Sequence, residues 1–446
     1  MSRSFADMTN AALEYLKEMA AATRNNPDVS ATYEKLSILF AEKLWHQLTV
    51  TILDVLSSSY GGDNSSGTAS TSIYNYNVLE LYERVVLACD TKVNPLSLAR
   101  IASLVAFSLS TVRGNNGTTT TSGTPADTIS TTTISGIVKG REIIQNVLEK
   151  PTVRLGSAPT LFLQSKLVLL ALREITTITT NETTTTTTLL ESIPSTLQEG
   201  AKLLAEEGNI DVIVYSAYYE AATAYRKIVG PPEEFYKEAL LYLHYTPLDE
   251  MSTEERYTLA TDLSLAAITG DGIFNFGELT TTPLLHTALH NTPNAWLMDL
   301  LQCFAQGDVI TFTQVMERCT ASPTILTNYP ILTARSSVLQ EKIMLLALVH
   351  MIFERPSSDR TLSFMDISHR TTVTPLNVEL LLMRALSLGL IKGTLDQVDE
   401  TVTVSWVMPR VLEPMQLKDL AARFGEWAIQ VTQAKDYLVE HTPTFA

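Results

Sequence analysis

Two histidines four residues apart, His286 and His290, are the first residues whose spacing invites chemistry. On a helix they share one face, the arrangement with which a zinc protease grips its metal. That chemistry also needs a glutamate after the first histidine to activate water, and Thr287 stands there instead. No third ligand is evident nearby, so the pair reads as surface or capping histidines. The run Gly272-Ile273-Phe274-Asn275-Phe276-Gly277 has the two-glycine spacing of a phosphate loop. Glu278 and Leu279 hold the places of the required lysine and hydroxyl residue, so the loop would repel phosphate. As a calcium loop, the run from Asp271 lacks an oxygen ligand at its third position and the central glycine. A tight turn between helices, with Phe274 and Phe276 packed inward, is the expectation. There is no GxSxG elbow and no CxxC pair, and Cys89, Cys303 and Cys319 sit inside helical patterns as buried free thiols. No catalytic, cofactor-binding or metal residues are assigned, no cofactor is expected, and the chain is not read as an enzyme.

The elements around these residues point to assembly. From Leu362 to Trp406 a short strand, a brief helix at Met365–His369, a second helix and a hairpin follow one another, the order of a winged helix. Thr374-Pro375 starts the second helix as cap plus proline, and Gly389 ends it. Leu376, Leu380, Leu381, Met383, Ala385 and Leu388 recur at three- and four-residue steps and are expected to form its buried face. Leu390–Leu395 and Thr401–Trp406 alternate as two strands, with Asp396 to Glu400 as the turn. Val402, Val404 and Trp406 share one side and are expected at a free wing edge that pairs with a neighbouring protein. Between Arg360 and Arg410, Arg360, Arg370, Arg384, Lys392 and Arg410 are matched by Asp366, Glu379, Asp396, Asp399 and Glu400. With a net charge of −16 on the whole chain, protein contact is favoured over nucleic acid.

At 446 residues and 45% hydrophobic content the chain has room for two or three folded domains. The fold class expected is mostly α: a solenoid of helix pairs, related in kind to tetratricopeptide repeats, over residues 1–230. A second domain follows over 231–413, with a helical subdomain at 231–354 and the winged helix at 360–410, and a terminal helix and tail occupy 414–446. Threonine-rich stretches at 61–72, 114–133 and 177–188 read as disordered loops at hairpin tips. In the terminal helix Leu417, Leu420, Phe424, Trp427, Val431, Ala434 and Leu438 step alternately by three and four, one apolar stripe. That stripe is expected to join a helical bundle with other chains; the alternative is that it folds back on its own chain. No apolar run long enough to span a bilayer and no signal peptide is read, so the chain is expected to be soluble and intracellular.

Helical repeats, helical subdomain, winged helix and terminal helix in this order resemble PCI-domain proteins, the scaffold class of the proteasome lid, the COP9 signalosome and a translation initiation factor. Lys43-Leu44-Trp45-His46-Gln47-Leu48-Thr49, Val93-Asn94-Pro95-Leu96-Ser97-Leu98 and the Gly272–Leu279 run resemble the proteasome-lid members most closely. So do Ala385-Leu386-Ser387-Leu388-Gly389-Leu390-Ile391-Lys392-Gly393 and Trp406-Val407-Met408-Pro409-Arg410-Val411-Leu412. The resemblance implies a non-catalytic structural subunit of the lid, within a large hetero-oligomer, in cytoplasm and nucleus. It implies other lid PCI subunits, the deubiquitinase-containing subunit pair and a ubiquitin-receptor subunit as partners, with no nucleic acid and no membrane. In that class winged helices join edge to edge into a horseshoe and terminal helices gather into a bundle. Thr401–Trp406 would then belong to the horseshoe and Leu417–Leu438 to the bundle. The alternatives are a scaffold subunit of another PCI complex, or an adaptor that binds nucleic acid through its winged helix.

Overall fold

The computed structural model of the chain describes residues 5–23, 26–60, 78–111, 125–149, 155–177, 183–208, 210–290, 292–322, 327–355, 360–409 and 414–441. It divides into two compact units, one of residues 1–230 and 237–252 and one of residues 231–236 and 253–446.

The first unit is helical throughout its described residues. Its elements are α1 (Phe5–Ala22), α2 (Pro27–Ala41), α3 (Trp45–Tyr60), α4 (Val78–Leu81), α5 (Pro95–Thr111), α6 (Pro125–Leu148), α7 (Ser157–Thr177), α8 (Thr183–Glu206) and α9 (Val212–Val229). Helix α10 (Pro232–Tyr245) gives most of its length to this unit and its first residues to the other. The helices bury their apolar stripes on one another, α1 on α2, α5 on α6 and α6 on α7 in chain order, and α7 on α9 past the intervening α8. Asn94 caps α5 by accepting from the Leu96 amide at 3.0 Å, with Pro95 at the first helical position. Gly136 and Gly140, four residues apart on α6, face α5, where an added Cβ would lie 2.3 Å from the Leu109 carbonyl oxygen and 2.8 Å from that of Ala106. These glycines let the two backbones approach at closest contact.

The threonine-rich stretches differ in part from the expectation. Residues 61–72, 114–124 and 178–182 lie outside the described residues. Residues 125–133 and 183–188, however, are helix rather than loop, as the opening turns of α6 and α8. Threonine costs helix only about 0.5–0.7 kcal/mol relative to alanine, and extending a nucleated helix is cheap compared with starting one. Threonine's low propensity is outweighed here by the helix that follows it in the chain.

The second unit begins with α11 (Thr253–Thr269), α12 (Gly277–Thr280), α13 (Pro283–Leu289), α14 (Trp296–Gln306), α15 (Val309–Ala321) and α16 (Pro330–Ala334). Gly307 closes α14 in the left-handed conformation at φ 67°, and Asp308 opens α15 by accepting from the amides of Ile310 at 3.0 Å and Thr311 at 3.3 Å. Helix α17 (Ser336–Glu354) is the spine of this unit. It packs on α11, α14 and α15 and also on the winged helix beyond it. That module consists of β1 (Thr361–Ser363), α18 (Phe364–Thr371), α19 (Pro375–Ser387), β2 (Ile391–Asp396) and β3 (Thr401–Val407). Leu345, Leu348 and Ile352 of α17 share one core with Leu362, Ile367, Val378, Leu382, Ile391, Val402 and Val404. By length and composition α17 passes as a membrane span, contrary to the expectation that no apolar run is long enough. Its leucines are instead distributed between the two sets of partners it packs on. The chain ends with α20 (Pro414–His441).

Candidate assembly surfaces

The residues whose spacing invited chemistry are engaged in local contacts of the fold. His286 turns back to the Thr280 carbonyl, 3.0 Å from its Nε2, and His290 is the residue at which α13 ends. Among the described residues no group of three His, Cys, Asp or Glu side chains could hold a metal ion. All three cysteines are buried and free. Burial pushes the Cys89 thiol up to about 12 and that of Cys303 to about 11, the reverse of what a nucleophilic thiolate needs. In the glycine-flanked turn, the Gly272 amide donates to Glu233 Oε1 at 2.7 Å, so a carboxylate of the protein already occupies the place of a phosphate. Phe276 packs inward and stacks on Phe304 with ring centroids 5.1 Å apart.

Lys342 holds this turn from below. Its ammonium, on the buried side of α17, donates to the carbonyls of Ala267, Ile268 and Gly270 at 2.7, 3.2 and 2.6 Å and lies 5.0 Å from the Phe276 ring. Three acceptors match its three N–H donors, and together they close the C-terminal end of α11. Burial lowers its pKa to about 7 against the opposing charges of Asp271 and Glu233. In sequence Lys342 follows Gln340 and Glu341 and reads as part of a polar run, while its helical neighbours Leu339, Leu345 and Leu346 are buried. A cleft of about 630 Å³ includes Asp308, His350, His369 and Arg370 in its lining. Its charges are engaged locally: Glu354 pairs with His350 at 3.0 Å and Arg370 at 3.7 Å, and Asp308 caps α15. The hydroxyl of Thr311 donates to the Asp308 carboxylate and holds it below its ordinary pKa.

The winged helix corrects two readings of its surfaces. The sheet order is β1-β3-β2, so β3 is the central strand and both its sides are paired. Leu362 faces Val402 on one side and Leu395 faces it on the other. Val402 and Val404, expected at a wing edge, are instead core residues, and Trp406 alone of the three is exposed, at 39%. The reason is connectivity: the short strand before α18 returns to pair with β3 and closes the side that a two-stranded hairpin would leave open. The open edges among the described residues are β1 and β2. Strand β1 has three residues, and its Thr361 carbonyl accepts from Arg355 at 3.2 Å. Strand β2 has six and is the longer template. It carries a register shift after Lys392, where a Cβ on Gly393 would lie 2.3 Å from the Thr403 carbonyl oxygen.

Helix α19 starts at Pro375 as expected, although the Thr374 side chain makes no capping hydrogen bond. Its buried side is Val378, Leu381, Leu382 and Ala385. Leu376, Leu380, Met383 and Leu388, assigned to that side from sequence, point to solvent. The helix is apolar on two sides, and three- and four-residue spacing cannot tell which one the core takes. On α20, Leu417, Leu420, Phe424, Trp427, Val431 and Leu438 are all exposed, as are Ile429 and Tyr437.

Two family models match the chain: the one described as PSD13 N-terminal repeats over residues 32–301, and the PCI domain over residues 324–406. The 26S proteasome non-ATPase regulatory subunit 13 homolog B of Arabidopsis thaliana is 32% identical, over 94% of this chain and 95% of its own length. The 26S proteasome non-ATPase regulatory subunit 13 of Dictyostelium discoideum is 28% identical over 93% of each chain. The 26S proteasome regulatory subunit RPN9 of Saccharomyces cerevisiae is 37% identical over 53% of this chain and 58% of its own.

Proposed function

The chain belongs to the family of 26S proteasome non-ATPase regulatory subunit 13, and from that membership we propose that it is a non-catalytic scaffold subunit of the proteasome regulatory particle lid. It supports lid assembly, and thereby ubiquitin-dependent protein degradation, through its own surfaces. Its partners are other PCI subunits of the lid and the deubiquitinase-containing pair, with a ubiquitin-receptor subunit near by. It works in cytoplasm and nucleus. The observation that carries the reading is the similarity to subunit 13 along nearly the whole chain, which takes in both the repeats and the PCI domain.

The geometry supports a division of labour. The open edge of β2 offers unpaired N–H and C=O groups to a strand of a neighbouring winged helix. Helix α20, 28 residues and therefore about 42 Å long, offers an apolar stripe to a bundle. A bundle buries such stripes at roughly 25 cal/mol per Å² of apolar surface, an energy the isolated helix leaves unused.

The test is native affinity purification of the tagged chain, with mass spectrometry of the co-purifying proteins and a peptidase assay on the eluate. Lid subunits with peptidase activity are expected. Recovery of signalosome or initiation-factor subunits instead would keep the fold and overturn the function. A chain truncated after Pro414 should remain folded and no longer enter the lid stably; normal incorporation would remove α20 from the assembly role.

A further inference from the structure

Helix α19 presents its second apolar side as a continuous surface. At about 100° per residue, Leu376, Leu380 and Met383 lie within about 40° of the line opposite Val378. They are 90%, 63% and 55% exposed. A winged helix that reads DNA places cations and polar groups on this outer side; here it is leucine and methionine. The wing lies along one flank, since Gln397 Nε2 donates to Glu379 Oε2 at 3.0 Å. The wing tip carries Asp396, Asp399 and Glu400 around Val398, which is 92% exposed. On the opposite flank, Arg384 is drawn away into an ion pair with Glu341 at 2.9 Å. Scattered exposed leucines need no explanation, but an apolar stripe in register on one helix, with Glu379 on its flank tied to an acidic wing tip, does.

We propose that the outer side of α19 is a docking site for an amphipathic helix of another protein, one whose apolar stripe is flanked by lysine or arginine. Leucine and methionine two turns long supply the apolar ridge such a helix packs on. The carboxylates on the wing side set its orientation and exclude acidic competitors. The site uses neither the β2 edge nor α20, so it is occupied independently of both and does not rest on the lid assignment.

The test is fluorescence anisotropy on the full-length chain with two synthetic helical peptides that share a leucine stripe, one flanked by lysines and one by glutamates. The lysine-flanked peptide should bind at least about tenfold more tightly than its acidic counterpart. Leu380→Ser with Met383→Ser should weaken it by about tenfold or more, and Glu379→Lys should weaken it further at low salt than at high salt. Leu376→Ser alone, at the most exposed position of the stripe, repeats the measurement should the double variant fail to fold. Equal binding of the two peptides, or binding unchanged by the substitutions, overturns the proposal. So does self-association of the chain in sedimentation that the same substitutions abolish, which would make a second copy the occupant. Binding of duplex DNA lost in the variants would overturn it in favour of nucleic acid.

Discussion

Helices α17 and α20 carry similar apolar residues at helical spacing and meet opposite fates. In α17 ten residues are buried, Leu345, Leu348 and Ile352 against the winged helix among them. In α20 the leucines, Phe424 and Trp427 are exposed along the whole helix, Trp427 at 63%. The difference lies in what surrounds them. Helix α17 has elements of its own unit to pack on, so its apolar surface contributes to folding. Helix α20 follows a completed module, and its apolar residues are uncovered among the described residues. A sequence stripe therefore reports that a helix will be covered, and the surrounding fold decides whether by its own chain.

That contrast breaks first at Leu348. Leu348→Ala empties a fully buried position shared by α17 and the winged helix and should cost about 2–5 kcal/mol in denaturant unfolding. A loss under about 0.5 kcal/mol would mean α17 is not the spine of its unit. Lys342→Met sharpens the contrast within α17, because it removes the one charged group buried there. It strands three carbonyls and should cost about 1–3 kcal/mol. The pH dependence has a definite sign. The folded pKa, about 7, lies below the ordinary lysine value of 10.5, so between these values the unfolded chain holds the proton more tightly. The lysine's contribution to stability is therefore smallest below about 7 and grows as pH rises towards 10.5. The deficit of the methionine variant should widen over that window; a deficit constant from pH 6 to pH 10 would mean the lysine's folded and unfolded pKa values coincide. The smallest effect belongs to α20. Trp427→Ala should change the stability of the isolated chain by less than about 0.5 kcal/mol while lowering its recovery in the assembled lid. A large stability loss would show that α20 folds back on its own chain.

Much of the architecture was legible from local chemistry. Asn94-Pro95, Thr374-Pro375 and Gly389 mark helix ends because capping and φ restriction act within a few residues. The absence of lysine after Gly277 and of glutamate after His286 excluded two chemistries outright, since those mechanisms require those side chains. The errors share a cause. Alternation assigns Val402 and Val404 to one side but not to an edge, because strand order depends on β1, about forty residues earlier. Periodicity alone assigns Leu376, Leu380 and Met383 to a core, because a helix apolar on two sides has the same spacing as one buried on one.

The sequence by itself determined the helical repeats, the winged-helix element order, the lack of a recognisable catalytic motif and the family, because propensity, capping, patterning and residue identity are local or read along the chain. Only the tertiary structure decided that β3 is central, that Lys342 closes α11, and that α19 turns one apolar side outward. Each of these depends on which residues distant in sequence become neighbours, and burial is a property of those neighbours rather than of the residue itself.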